Sequence, residues 1–198
     1  MIKEAGRKKK LIVFTDGSCF RNGRGNAVGG IGIHFPNREL RDVGKVYRLG
    51  PCTNQKAELY AILTALRYIN KMLGLENYRI YIKTDSQYSI DSVTKWIYTW
   101  IKNGWKTISG KPVANREFIE LIHKYYKRYD ISFEHVESHT NKNDPNSIGN
   151  RNADKLATRS AKRGILEKAE LEEFSEKWNK HFFPADTNFV VELVKSSK

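Results

Sequence analysis

The stretch Leu11–Phe35, LIVFTDGSCFRNGRGNAVGGIGIHF, contains two apolar runs separated by glycine and asparagine. Leu11–Thr15 reads as a short buried strand that runs straight into Asp16-Gly17, and Val28–Phe35 reads as its neighbour. Asn22-Gly23 and the residues up to Asn26 have turn chemistry, so the two strands are expected to pair antiparallel. Arg41–Leu49 alternates polar and apolar residues and extends this meander by a third strand.

Working outward, the period changes at Asn54. Ala57, Tyr60, Ala61, Thr64, Ala65, Tyr68 and Ile69 recur at helical spacing, and Gly74 follows them. Tyr78–Thr84 is a further strand, again ending at an acid, Asp85. Ser86 to about Lys102 reads as helix, as do Asn115–Arg128 and Asn150–Arg163, with a strand at Ile131–Val136. Gly164 is read as the stop of the last of these helices. Strands that first form a meander and later alternate with helices indicate an α/β fold, a mixed sheet covered by helices.

The charge is uneven. The chain has 198 residues and a formal net charge of +13. Residues 1–164 hold 30 basic and 15 acidic side chains, against 5 and 7 in residues 165–198. This divides the chain into a basic flank (1–9), a basic catalytic-sized domain (10–164) and a C-terminal helical extension (165–198). Such an excess points to a polyanionic partner, nucleic acid or an acidic membrane surface, and charge alone does not choose between them. Cys19 and Cys52 are too few for a disulfide scaffold or a cysteine zinc cluster. No apolar run approaches the roughly 18 residues of a membrane span, and the first ten residues lack a signal-peptide core. A soluble intracellular protein is expected. In the extension, Leu171, Phe174 and Trp178 fall on one helical stripe, which is expected to dock on the domain.

Asp16 and Asp85 each follow an apolar strand, Glu58 lies in the first turns of a helix, and Asp154 opens another. Singly, each is an ordinary turn or helix-start acid. Gathered at one rim of a basic domain they would repel strongly unless cations lay between them. Oxygen-only ligands suit magnesium or manganese, and paired ions of this kind cleave phosphodiesters.

The segments TDGS (Thr15–Ser18), TNQKAEL (Thr53–Leu59), YIKTDSQY (Tyr81–Tyr88) and IGNRNADKLA (Ile148–Ala157) together resemble type 1 ribonuclease H. WIYTWIKNGWKTISGKPVANRE (Trp96–Glu117) is similar to the basic, tryptophan-bearing protrusion of that family. The resemblance implies a ribonuclease H-like fold, a five-stranded sheet in the order 3-2-1-4-5 flanked by helices. It implies an endoribonuclease that cuts the RNA strand of RNA–DNA hybrids and leaves 5′-phosphate and 3′-hydroxyl ends. Asp16, Glu58, Asp85 and Asp154 would be the metal ligands, for two Mg2+ with Mn2+ as substitute, and His139 a loop histidine that assists proton transfer. Cys19, Asn22, Asn54 and Gln55 match the contacts to the RNA strand, whose 2′-hydroxyls separate RNA from DNA. Thr53 and Asn115 match the pocket for a DNA phosphate. Tyr88, Trp96 and Trp100 match the channel for the DNA backbone, with Lys95, Lys102, Lys106 and Lys111 adding charge. The implied partner is the hybrid, bound by a monomer away from any membrane. The competing readings are a nuclease of the same fold acting on DNA junctions or double-stranded RNA, and a silent hybrid-binding protein. The protrusion and TNQ motif argue against the first, the complete acid set against the second.

Overall fold

The computed structural model describes residues 8–138 and 140–182. Its sheet is five-stranded, in the order β3-β2-β1-β4-β5. The strands are β1 (Lys9–Phe20), β2 (Val28–His34), β3 (Val43–Tyr47), β4 (Tyr78–Thr84) and β5 (Ile131–His135). The first three pair antiparallel; β4 joins β1, and β5 joins β4, in parallel. The meander and the later alternation of strand and helix thus meet in one mixed sheet.

β1 is longer than the apolar run suggests, and Asp16 lies within it rather than after it. Its parallel ladder with β4 stops at Phe14 and Lys83, yet β1 continues to Phe20 on hydrogen bonds to β2 alone. Asp16 therefore stands where β1 has lost one neighbour, and Asp85 follows Thr84, the last residue of that neighbour. A strand stays regular while one partner remains to satisfy its backbone.

Helix α1 (Asn54–Leu73) starts at Thr53, whose hydroxyl accepts from the Lys56 N–H at 3.2 Å. Leu59, Ile62, Leu63, Leu66 and Ile69 on α1 join Leu11, Val13, Ile31, Ile33, Ile80 and Ile82 of the sheet in the main buried cluster. A short helix α2 (Gln87–Asp91) passes through a π-helical turn (Ser92–Trp96) into α3 (Ile97–Lys102), and α4 (Arg116–Arg128) adds Phe118, Ile119 and Ile122 to the same cluster.

The other face carries α5 (Pro145–Phe182), one helix of 38 residues. It begins five residues before Asn150, because Asp144 caps it: Oδ1 accepts from the Asn146 and Ser147 N–H groups (3.0 and 3.1 Å) and Oδ2 from the Ser147 hydroxyl (2.6 Å). Pro145 then occupies the first helical position, where its missing N–H costs nothing. Contrary to the expected stop, α5 runs through Gly164. A Cβ there would lie 2.7 Å from Val46 and 2.8 Å from Val28, so this glycine brings the helix close to the sheet instead of ending it. Beyond it, Leu171 is 67% and Phe174 62% exposed, so the expected docking of this stripe is not seen. The Trp178 side chain, residues 1–7 and residues 183–198 lie outside the described residues. Among the described residues no helix is long and apolar enough to cross a membrane.

Candidate active site

Close approach of backbone to backbone builds this site. Gly17 follows Asp16, and a Cβ on it would lie 2.2 Å from the Glu58 nitrogen and 2.3 Å from the Ala57 carbonyl carbon. Only a glycine admits the first turn of α1 here, and that turn brings Glu58 beside Asp16. On the opposite face Gly32, the cross-strand partner of Asp16, faces α5. A Cβ on Gly32 would lie 1.9 Å from the Ala153 carbonyl oxygen, and one on Gly30 2.3 Å from the Ala161 nitrogen. Ala153, Ala157 and Ala161 are fully buried in this contact, and Asp154 follows the first of them. The sequence DG on β1 and GGIG on β2 is thus what lets two helices deliver their acids.

Asp16, Glu58 and Asp85 each offer a carboxylate oxygen within 4.8 Å of the others. Asp154 is not part of that tightest group, although its charge reaches Asp16; its Oδ1 accepts from the Thr158 hydroxyl at 3.4 Å. Asp16 and Glu58 are both buried. Burial, with the charges of Asp85 and Asp154, pushes the Asp16 carboxyl up to about 7. Glu58 lies well above the usual carboxylate range, first through burial and then through Asp16 and Asp85, with the Gly17 N–H and Thr84 opposing. Glu58 Oε2 is buried with no hydrogen-bond partner among the described residues. Buried, mutually repelling oxygens with an orphaned acceptor fit a hard divalent cation, which would satisfy the lone pair and the charge together.

Of the residues matched to the RNA strand, Asn22 and Asn54 are joined: Asn22 Oδ1 accepts from the Asn54 N–H at 3.2 Å, tying the β1–β2 turn to the start of α1. Gln55 is exposed next to them, and Cys19 is half-buried opposite Gly29. Thr53 lies at the same corner as the α1 cap.

A second cluster forms around the protrusion. Asn115 adopts a left-handed conformation (φ 60°) before α4, is buried, and donates from Nδ2 to the Tyr88 hydroxyl at 3.1 Å. The Tyr88 and Trp96 rings are 6.0 Å apart, Trp96 and Trp100 5.8 Å, and Trp100 and Trp105 6.3 Å. Trp96 is 42% exposed, so the row presents an aromatic edge to solvent. Lys102, Lys106 and Lys111 are exposed nearby, whereas Lys95 pairs with Asp91 at 2.7 Å. His139 lies outside the described residues.

Sequence reasoning missed several contributors. Thr84, fully buried, bonds Glu58. Trp105 continues the aromatic row under the Arg116 guanidinium, 4.6 Å from its ring centroid; the available signal was its place in the tryptophan-bearing stretch Trp96–Glu117. Asn150, on α5, donates from Nδ2 to Asp85 Oδ2 at 3.2 Å.

The comparisons with known proteins agree with this architecture. The RNase H family model matches residues 8–162. A protein from Acanthamoeba polyphaga mimivirus named probable ribonuclease H is 43% identical, over 98% of this chain and 94% of its own length. Human ribonuclease H1 is 36% identical over 77% of this chain, which spans only 50% of that protein. The crystal structure of LC9-RNase H1, a type 1 RNase H with the type 2 active-site motif, superposes with a TM-score of 0.63 at 26% identity, covering 80% of this chain and 74% of that one. An acid cluster on a 3-2-1-4-5 mixed sheet and a family match over most of its length place this chain in the ribonuclease H family, as a hydrolase.

Proposed function

We propose that this chain is an endoribonuclease that hydrolyses the RNA strand of RNA–DNA hybrids and leaves 5′-phosphate and 3′-hydroxyl ends. The observation that carries the reading is the convergence of Asp16, Glu58 and Asp85 within 4.8 Å in a chain of net charge +13. Such a hole in a basic surface serves cleavage of a polyanion better than its retention.

Asp16, Glu58, Asp85 and Asp154 would hold two Mg2+ ions, or Mn2+ in their place. Bound there, the metal supplies an activated water and stabilisation of the leaving oxygen. Asp16 would be a ligand common to both ions, Asp154 would hold the one that supplies the water, and Glu58 and Asp85 would hold the one that steadies the leaving oxygen. The new bond joins water oxygen to phosphorus and the broken one is P–O3′, which sets the two ends. His139, which follows β5 in the sequence, takes part in moving the proton.

Recognition divides between the two clusters. Cys19, Asn22, Asn54 and Gln55 read the RNA strand at its 2′-hydroxyls. Thr53 and Asn115 hold a DNA phosphate, while Tyr88, Trp96 and Trp100, with Lys95 and Lys106, line the path of the DNA backbone. The Asn115–Tyr88 hydrogen bond supports this grouping by linking the phosphate pocket to the aromatic row. Residues 10–164 form the catalytic unit, close to the matched 8–162, with 1–9 a basic flank and 165–198 an extension. The unit acts as a monomer inside the cell.

The test is cleavage of labelled RNA–DNA hybrid, RNA duplex and DNA duplex side by side, with magnesium or EDTA. The expected result is cutting of the hybrid's RNA strand alone, abolished by EDTA. Equal cutting of the RNA duplex or the DNA duplex, or intact hybrid with magnesium, would overturn the assignment.

A further inference from the structure

We infer that Asn150 is a positioning residue for Asp85, holding one carboxylate oxygen so that the acid presents a fixed face to a divalent cation. This rests on the reading of the four acids as a cation site. Asn150 is 3% exposed and lies four residues before Asp154, on the same face of α5. Its Nδ2 donates to Asp85 Oδ2 at 3.2 Å. The amide has one sensible orientation, since its carbonyl turned toward Asp85 would set two acceptors against each other.

The remaining atom makes the argument. Asn150 Oδ1 is buried and has no hydrogen-bond partner among the described residues. A buried amide with an unmet acceptor burdens the fold, and a leucine of the same γ-branched shape would carry no such burden. The hydrogen bond to Asp85 is what the amide contributes and a leucine could not.

Asp85 needs such help because it stands just past the end of β4. Its backbone carbonyl is 3.2 Å from His135 Nε2, so the main chain is anchored while the carboxylate plane is left to the side chain's own torsions. A neutral N–H removes that freedom and adds no competing charge. Because the donor rides on α5, it also ties the acid after β4 to the helix that carries Asp154. Groups that orient a metal ligand in this way typically alter affinity by about 10–100-fold.

The experiment measures Mn2+ binding to the full-length chain without nucleic acid, by calorimetry and by the loss of free-Mn2+ paramagnetic signal. Asn150→Leu keeps the branched shape without the donor, and Asn150→Ser serves if the larger leucine fails to fold. Asp16→Asn reports on the site itself. The expected result is Mn2+ dissociation at least about fivefold weaker for the Asn150 variant, with an unchanged or raised Tm for leucine. Wild-type affinity in the Asn150 variants, with binding lost in Asp16→Asn, overturns the positioning role and leaves the carboxylate site standing. Wild-type affinity in Asp16→Asn as well overturns both.

Discussion

On the face covered by α1, branched side chains fill the layer: Leu59, Ile62, Leu63, Leu66 and Ile69 lie in one cluster with Leu11, Ile31, Ile33 and Ile80. On the face covered by α5, Gly30, Gly32 and Gly44 meet Ala153, Ala157, Ser160 and Ala161 almost backbone to backbone. Each helix delivers one acid, Glu58 from α1 and Asp154 from α5. A layer of side chains yields by degrees, because neighbours can shift into a void. A layer of peptide groups has nothing that can yield; on the α1 face this holds only at Gly17, where a Cβ would lie 2.2 Å from the Glu58 nitrogen, whereas on the α5 face it recurs at Gly30 and Gly32.

The hardest break of this contrast is Gly32→Ala. Its new methyl would meet the Ala153 carbonyl oxygen at 1.9 Å, and we expect a loss of about 4 kcal/mol in urea denaturation together with a fall in turnover of the folded enzyme. Wild-type stability would show that α5 can lift from the sheet freely. Leu63→Ala, on the other face, should cost about 3 kcal/mol, while cleavage per folded molecule stays within about twofold of wild type. A much larger drop in turnover would mean that Glu58 depends on the layer as tightly as Asp154 does.

The third expectation concerns pH. Asp16 titrates near 7 in the folded protein, against an ordinary value of 3.8. A raised carboxylate favours the folded state's proton, so metal-free stability should fall as pH rises from about 4 to about 7 and then level off. Each tenfold change in proton affinity is about 1.4 kcal/mol, so a fall on the order of 4 kcal/mol at most is expected from this group. Melting curves with EDTA should show the decline, and Asp16→Asn should make it shallower while leaving the share of Glu58. A stability that rises across that window would contradict the burial assigned to this acid. The smallest effect should come from Asp144→Ala, which removes the cap of α5 at about 1 kcal/mol. No change in Tm would mean that the loop before α5 carries no share of its hold.

Much of this was readable from the residues, and the failures have physical causes. The strand order and the aromatic row were implied by the resemblance of short motifs to one family, while the acids stood out by their places at strand ends and helix starts. Asp16 was placed at a strand end because the apolar run stops there, whereas the ladder with β2 continues to Phe20. Gly164 reads equally well as a helix stop or as a close contact, and only Val28 and Val46, far away in sequence, decide between them. Asp144-Pro145 was a legible cap, passed over because the helix was read as starting at Asn150. The stripe of Leu171 and Phe174 had the right spacing, but spacing does not supply a surface to cover it. Asn150 had no signal of its own, since its meaning lies in Asp85, 65 residues earlier.

The glycine face of β2 also has a meaning in time. Gly32 and Ala153 are separated by about 120 positions, so at about 5–20 residues per second a ribosome needs roughly ten seconds to supply the helix after the strand. A β2 strand with Gly30 and Gly32 on that side adds only Val28 to the apolar surface exposed meanwhile, beside Ile12 and Phe14 of β1. Chains stalled on the ribosome before residue 145 should therefore bind a hydrophobic dye weakly, and Gly30→Leu should brighten them.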